Sequence, residues 1–302
     1  MSQIIQWEHP SLTRPILITA FAGWNDAGRS ATMAVEHLVE TWKAAKFAEI
    51  DPDEFFDFTA SRPWVKLDES GRSELSWPSN TFYAHRDPSG SLDAVLLLGT
   101  EPGLRWQGFV REIVELARSL GVSMAVTLGS HLAPVSHREE TPVSGWAWPR
   151  SLHRRLGEID VSSITYSGPT GIVTVLGKAL ADARIPVAAL WASVPAYLGP
   201  TANPKAALAL VRRLDRAFGL GLDLGQLERT SERFERSVEE AVQRVHAMPG
   251  IALYQAQRGE KQTPQANGSA ASAEDPSSSP ELPPADEVVR AVEEFLRQKR
   301  QK

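Results

Sequence analysis

The chain has no cysteine in 302 residues. Disulfides, thiol nucleophiles and thiolate metal sites are therefore excluded, and the composition suits a reducing compartment. A cationic excess is missing too. With 32 Lys and Arg against 37 Asp and Glu the formal charge is −5, which opposes phosphate-backbone binding. No run reaches the roughly 18 apolar residues that a membrane-spanning helix needs. The first fourteen residues carry Gln6, Glu8 and His9 where an export signal would need an apolar core. These absences predict a soluble, cytoplasmic protein with neither nucleic acid nor membrane as partner.

The common catalytic signatures are also absent. No glycine run has Walker or dinucleotide spacing, and no Gly-x-Ser-x-Gly elbow occurs. His137-Arg138-Glu139-Glu140 lacks the second histidine four residues on that a helical zinc site needs. Asp51, Asp53, Glu54 and Asp57 are dense but lack the ligand rhythm of a calcium loop. Phe55, Phe56 and Phe58 read as anchors for that segment, and Arg62 as a salt link to one of its acids. No catalytic residue, metal or cofactor is assigned.

What is present alternates buried strands with amphipathic helices. Continuous apolar runs at Pro15–Ala20, Ala94–Gly99, Val122–Gly129 and Pro186–Ala192 read as strands covered on both faces. Helical patterns follow at Ala31–Val39, Phe109–Leu120, Ile172–Leu180 and Ala207–Phe218, the last opened by Asn203-Pro204. This predicts a three-layer α/β/α sandwich around a mostly parallel sheet in residues 1–222. Ser73–Trp77 and Thr81–His85 read as strands joined by a hairpin turn at Pro78-Ser79-Asn80. Trp146 and Trp148 alternate on one strand face, as core or as an oligomer contact. Residues 223–262 form a long-helix appendage whose stripe includes Leu227, Phe234, Val238, Ala241, Val245 and Met248; we expect it to meet a partner. A Pro- and Ser-rich linker at 263–284 and an amphipathic helix at 285–302 complete the organisation.

Two strand-to-helix turns draw attention. In the first, Gly23 and Gly28 bound a loop in which Asn25 or Asp26 can cap the next helix. In the second, Ser167-Gly168-Pro169-Thr170-Gly171, Thr170 is the expected N-cap. If the turns lie side by side at the carboxyl edge of the sheet, their amides and helix N-termini form an anion-attracting pocket. Its residues are Gly23, Trp24, Asn25, Asp26, Gly28, Gly168, Thr170 and Gly171. Two well-capped turns without any ligand fit the same residues.

Ile18-Thr19-Ala20-Phe21-Ala22-Gly23-Trp24-Asn25-Asp26-Ala27-Gly28 resembles the signature of the proteasome assembly chaperone 2 family, in its bacterial branch. Asp51–Phe58 with Arg62-Pro63, Ser167–Val173 and Leu190–Pro195 agree with that family in the same order, so the resemblance spans roughly residues 14 to 255. His137, Arg138 and Pro142 are similar to a family histidine–arginine–proline cluster, with Glu139 and Glu140 as a departure. The resemblance implies a core similar to nucleoside phosphorylases and hydrolases. It also implies a non-enzymatic role in assembling proteasome subunits, with the chain acting as a homo-oligomer, a trimer among the possible states. Some relatives dock on proteasome rings through a C-terminal hydrophobic-tyrosine-any motif. The final Arg297-Gln298-Lys299-Arg300-Gln301-Lys302 does not match it, so a proteasome contact is expected on another surface. The competing expectation is an enzyme or ligand-binding protein that uses the anion pocket.

Overall fold

The computed structural model describes residues 3–68, 70–90 and 92–246. It divides into two compact units, Met1–Glu232 and Arg233–Lys302. The first holds a nine-stranded mixed sheet. Its strands are β1 (Ile4–Gln6), β2 (Ile16–Ala22), β3 (Ala45–Ile50), β6 (Asn80–His85), β7 (Ala94–Thr100), β8 (Met124–Ala133), β9 (Val143–Trp148), β10 (Ser162–Ser163) and β11 (Val187–Pro195). Across the sheet they run β1-β3-β6-β7-β2-β8-β11-β9-β10. The four central strands, β7, β2, β8 and β11, are mutually parallel; β6 and β9 join them antiparallel at either side.

Helices cover both faces. α1 (Ser30–Trp42), α3 (Arg150–Gly157) and α5 (Pro204–Phe218) pack on one, and α2 (Trp106–Ser119) and α4 (Ile172–Asp182) on the other. The period-two alternation of β2 decides which side chain meets which layer. Ile16, Ile18 and Ala20 join the α1/α5 core, while Leu17 and Phe21 join the α2/α4 core. Because both faces are buried, β2 reads as an unbroken apolar run. Phe109 of α2 is fully buried and meets Phe21 at 5.9 Å and Phe55 at 5.3 Å between ring centroids, both edge-on. Burying each such ring stabilises the fold by roughly 1.5–3 kcal/mol. Phe55 and Phe56 thus pin the acidic excursion down, whereas Phe58 packs on Trp77.

Asn203 caps α5 with its side-chain oxygen 3.0 Å from the Ala206 N–H, and Pro204 occupies the first helical position. The helix stops at Gly219, which adopts φ +63°. The last helix among the described residues is α6 (Gly225–His246), which includes the boundary at Glu232. The linker and terminal helix expected at 263–302 lie outside the described residues.

Three local expectations are corrected. Residues 73–77 and 81–85 do not form a hairpin with each other. Instead β5 (Ser73–Ser76) pairs with β4 (Trp64–Leu67) as a separate two-stranded ribbon, while β6 pairs with β3 and β7. The loop Pro78-Ser79 carries the chain from ribbon to sheet. Pattern alone cannot assign a strand's partner when several alternating segments compete. Arg62 is not the partner of the acidic segment: Glu54 pairs with Arg105. Asp51 and Asp57 instead accept nearby backbone N–H groups, from Asp53 at 3.1 Å and Thr59 at 2.8 Å. Finally, the residues before the second turn are mostly irregular, with β10 limited to Ser162–Ser163.

Candidate functional site

The two glycine-bounded turns meet at the carboxyl edge of the parallel strands. The first leaves β2 and is tied to β8, where the Ser130 N–H donates to the Asn25 carbonyl at 2.8 Å. Asp26 is buried, and its carboxylate accepts from the N–H of Ala31 at 2.7 Å, the Thr32 hydroxyl at 2.5 Å and the Ser130 hydroxyl at 3.3 Å. It therefore caps α1 from five residues upstream of Ala31. Gly28 has φ +61°, and a Cβ there would come within 2.9 Å of the Thr201 carbonyl oxygen. Only glycine meets both demands.

The second turn docks on the first through a residue between them in sequence, Glu101. It follows β7 directly, and its N–H donates to the Ala22 carbonyl at 2.9 Å. Its Oε1 accepts from Asn25 Nδ2 at 2.6 Å and from the Ile172 N–H, the first of α4, at 2.8 Å. Its Oε2 accepts from the Trp24 N–H at 3.3 Å. Gly171 sits so close to Asn25 that an added Cβ would lie 2.1 Å from Asn25 Oδ1. Thr170, expected as N-cap, is not the cap: Gly171 holds that position without a side-chain bond, and Glu101 takes over the role.

Both helix N-termini at this edge thus face a carboxylate of the chain itself. Asp26 occupies the start of α1 and Glu101 the start of α4. The N–H groups of Ala31, Thr32 and Ile172, which would face an external anion at these helix starts, are engaged by these carboxylates. Burial raises the Asp26 pKa above its ordinary value, against the opposing pull of its bonds to Thr32, Ala31 and Ser130.

Over these turns opens a cleft of about 1360 Å³. Of the expected pocket residues, Gly23, Trp24, Asp26, Gly28, Gly168 and Thr170 line it. Asn25 and Gly171 are not among the lining residues; they sit beneath, at the contact of the two turns. Strands contribute His131 and Leu132 of β8, Ser144 and Trp146 of β9, and Trp191 of β11 to the wall, with Thr174 of α4 and Gly199-Pro200 after β11. Trp24 and Tyr166 stand on the rim, each 65% exposed. The Tyr166 hydroxyl donates to the Pro169 carbonyl at 2.9 Å, fixing the ring over the second turn. His131 lies against Trp191, and desolvation lowers its pKa, which keeps the imidazole neutral at pH 7. Arg29 is the sole Lys or Arg among the lining residues, and its guanidinium is held by Glu36 at 2.9 Å. The cleft is therefore aromatic and close to neutral. Among the described residues no group of three His, Asp or Glu converges as a metal site.

His131, Trp191 and Glu101 were not legible as site residues. Their signal is positional, His131 near the carboxyl end of β8, Glu101 just beyond β7 and Trp191 midway along β11, and it appears only once the strands are ordered side by side. His137, in the loop after β8, is buried and bonded through its N–H and Nδ1 to the Tyr197 hydroxyl, at 2.7 and 2.6 Å. It ties that loop to the segment after β11.

The profile of the PAC2 family matches residues 20–242. A crystal structure of a PAC2 family protein from Streptomyces avermitilis is 38% identical, covering 75% of this chain and 95% of that one, with a TM-score of 0.70. A proteasome-assembly chaperone homologue from Mycobacterium tuberculosis is 37% identical, covering 74% and 94%, with a TM-score of 0.69. An archaeal proteasome activator from Pyrococcus furiosus is 21% identical, covers 80% and 99%, and has a TM-score of 0.65, a likeness of fold. No curated protein matches the chain.

Proposed function

The chain belongs to the PAC2 family, and from that premise we propose that it is a non-enzymatic protein-binding scaffold. In this reading it chaperones assembly of proteasome subunits as a homo-oligomer, and its strand-end cleft receives an extended segment of a client chain. The observation that carries the reading is the character of the cleft. Its volume of about 1360 Å³ exceeds the roughly 300–1,000 Å³ of small-molecule sites. Its rim offers Trp24 and Tyr166 as rigid aromatic anchors, the residue types that dominate protein interfaces. The description of the Mycobacterium tuberculosis relative as a proteasome-assembly chaperone homologue supports the client class.

A small-anion site is the competing reading. It finds the α1 and α4 N-termini held by Asp26 and Glu101, and Arg29 held by Glu36. Those contacts favour the scaffold.

The test uses the full-length protein with purified proteasome α and β subunits from the same cells, followed on native gels over time. Assembly is expected to accelerate, and Trp24→Ala with Tyr166→Ala is expected to slow it while leaving thermal unfolding unchanged. Equal assembly with and without the protein refutes the reading. Saturable heat on titrating inorganic phosphate, lost in Arg29→Ala, would establish the anion site instead.

A further inference from the structure

The core stripe of α5 carries a charge. Leu210 and Leu214 are fully buried, and Arg213, on the same face, is only 6% exposed. Burying a guanidinium is costly unless its donors are met. The fold meets few of them. Nη2 donates to Glu140 Oε1 at 3.1 Å, and Nε donates to the Asp160 carbonyl at a long 3.4 Å. Nη1 has no hydrogen-bond partner among the described residues. The carboxylate on Arg213 is itself in water, since the Glu140 side chain is 77% exposed. A buried cation is thus paired through a single oxygen with a solvated anion, which screens the attraction.

Arg213 lines a cavity of about 440 Å³, within the roughly 300–1,000 Å³ of small-molecule sites. The cavity shares no lining residue with the strand-end cleft. Thr141, which is buried, lines it as well, and its hydroxyl bonds no described residue. Ser162 of β10 adds a second hydroxyl, engaged by a 3.5 Å bond to the Val143 carbonyl. Pro142, Val143 and Val161 give an apolar wall. The two carboxylates at this cavity differ. Arg216 donates to Asp160 at 2.5 Å, and that bond, with the Arg216 charge, holds the Asp160 pKa below its ordinary value. Glu140, exposed and bound through one oxygen, is the displaceable one.

We propose that this cavity binds the carboxylate of a small, singly charged organic acid, which displaces Glu140 from Arg213 and rests its apolar body on Val143 and Val161. A planar carboxylate can accept from Nη1 and Nη2 together, whereas Glu140 accepts from Nη2 alone. The Thr141 and Ser162 hydroxyls supply donors for the remaining lone pairs. One negative charge is the limit, because Glu140 and Asp160 stay beside the site and repel a dianion such as phosphate. Glu140 is then a built-in competitor: it holds Arg213 in the ligand-free protein and swings into water when the acid enters. The site goes beyond the scaffold reading, which uses none of these residues.

Calorimetric titration of the full-length protein with isovalerate, a branched monocarboxylate, should give saturable binding, and with isovaleramide, its uncharged analogue, none. Glu140→Gln removes the competitor and should tighten isovalerate binding about two- to fivefold, the strength of an exposed ion pair. Arg213→Met should weaken it at least about tenfold. Glu140 is exposed, so its variant is expected to fold, as circular dichroism will check, and the direction of its effect tests the site should Arg213→Met fail to fold. Valine, which is isovalerate with an added ammonium group, separates two sources of the carboxylate. Valine binding at least as tightly as isovalerate assigns the site to amino acids, and weaker binding assigns it to simple acids; either upholds the proposal. No saturable binding of isovalerate or valine into the millimolar range overturns it. So does an isovalerate affinity unchanged in Glu140→Gln, or phosphate or isovaleramide binding as tightly as isovalerate.

Discussion

Glu101 offers the sharpest test of how the two turns are joined. Glu101→Ala removes the acceptor of two bonds on Oε1, from Asn25 Nδ2 at 2.6 Å and the Ile172 N–H at 2.8 Å, and a longer one on Oε2 from Trp24. Asn25 is fully buried, so its amide has no water to turn to. An unsatisfied buried donor costs about 1–3 kcal/mol, and loss of a negative charge at the α4 N-terminus about 0.3–1 kcal/mol more. The Ile172 N–H, nearer the cleft, can be partly rehydrated. The sum is roughly 3 kcal/mol, or about 6–12 °C in Tm for a domain of this size. Glu101→Gln keeps one oxygen for Asn25 and Ile172 but turns an amide toward the Trp24 N–H, and should cost about 1 kcal/mol. Urea unfolding at pH 7 measures both. Added sulfate should recover part of the loss in Glu101→Ala and none in the parent, because only the variant frees the α4 N-terminus. An alanine variant within about 0.5 kcal/mol of the parent would refute the idea that this carboxylate holds the turns together.

Asp26 gives a pH signature. Its folded pKa is raised, chiefly by burial, so its contribution is fully present below the unfolded carboxylate pKa and is lost as pH rises through the folded value. The stability of the parent minus that of Asp26→Asn should therefore shrink as pH rises from just below 4; a difference that grows would mean that the hydrogen bonds outweigh burial. Gly171→Ala should destabilise by about 1–3 kcal/mol, since the methyl would overlap Asn25 Oδ1; the double variant with Asn25→Gly should regain part of that, and non-recovery would point to backbone strain elsewhere. Phe109→Ala should cost about 3–5 kcal/mol, because the ring bridges Phe21 and Phe55 with no exposure; a loss below 1 kcal/mol in urea unfolding would show that the layer repacks.

Much of the architecture follows from local pattern. Buried parallel strands announce themselves as unbroken apolar runs, and helices between them by period, so β2, β7, β8 and β11 and their layers of helices were legible. The Asn203-Pro204 start of α5 was equally local, since a cap and a fixed φ act within one turn. Both glycine turns were visible for the same reason. Pairing was not. The alternation of residues 73–77 fits any neighbouring strand, and only the competition for edges placed β5 on β4 and left an apolar ribbon face in water. Nor could sequence place Glu101, 76 residues from Asn25 and 71 from Ile172, between the turns. That contact sets a carboxylate of the chain itself at the start of α4 and on Asn25. Caps, turns and periodicities are short-range physics and are written in the chain; which donors remain free depends on which distant acceptor the fold delivers to them, and that exists only once the sheet has ordered its strands.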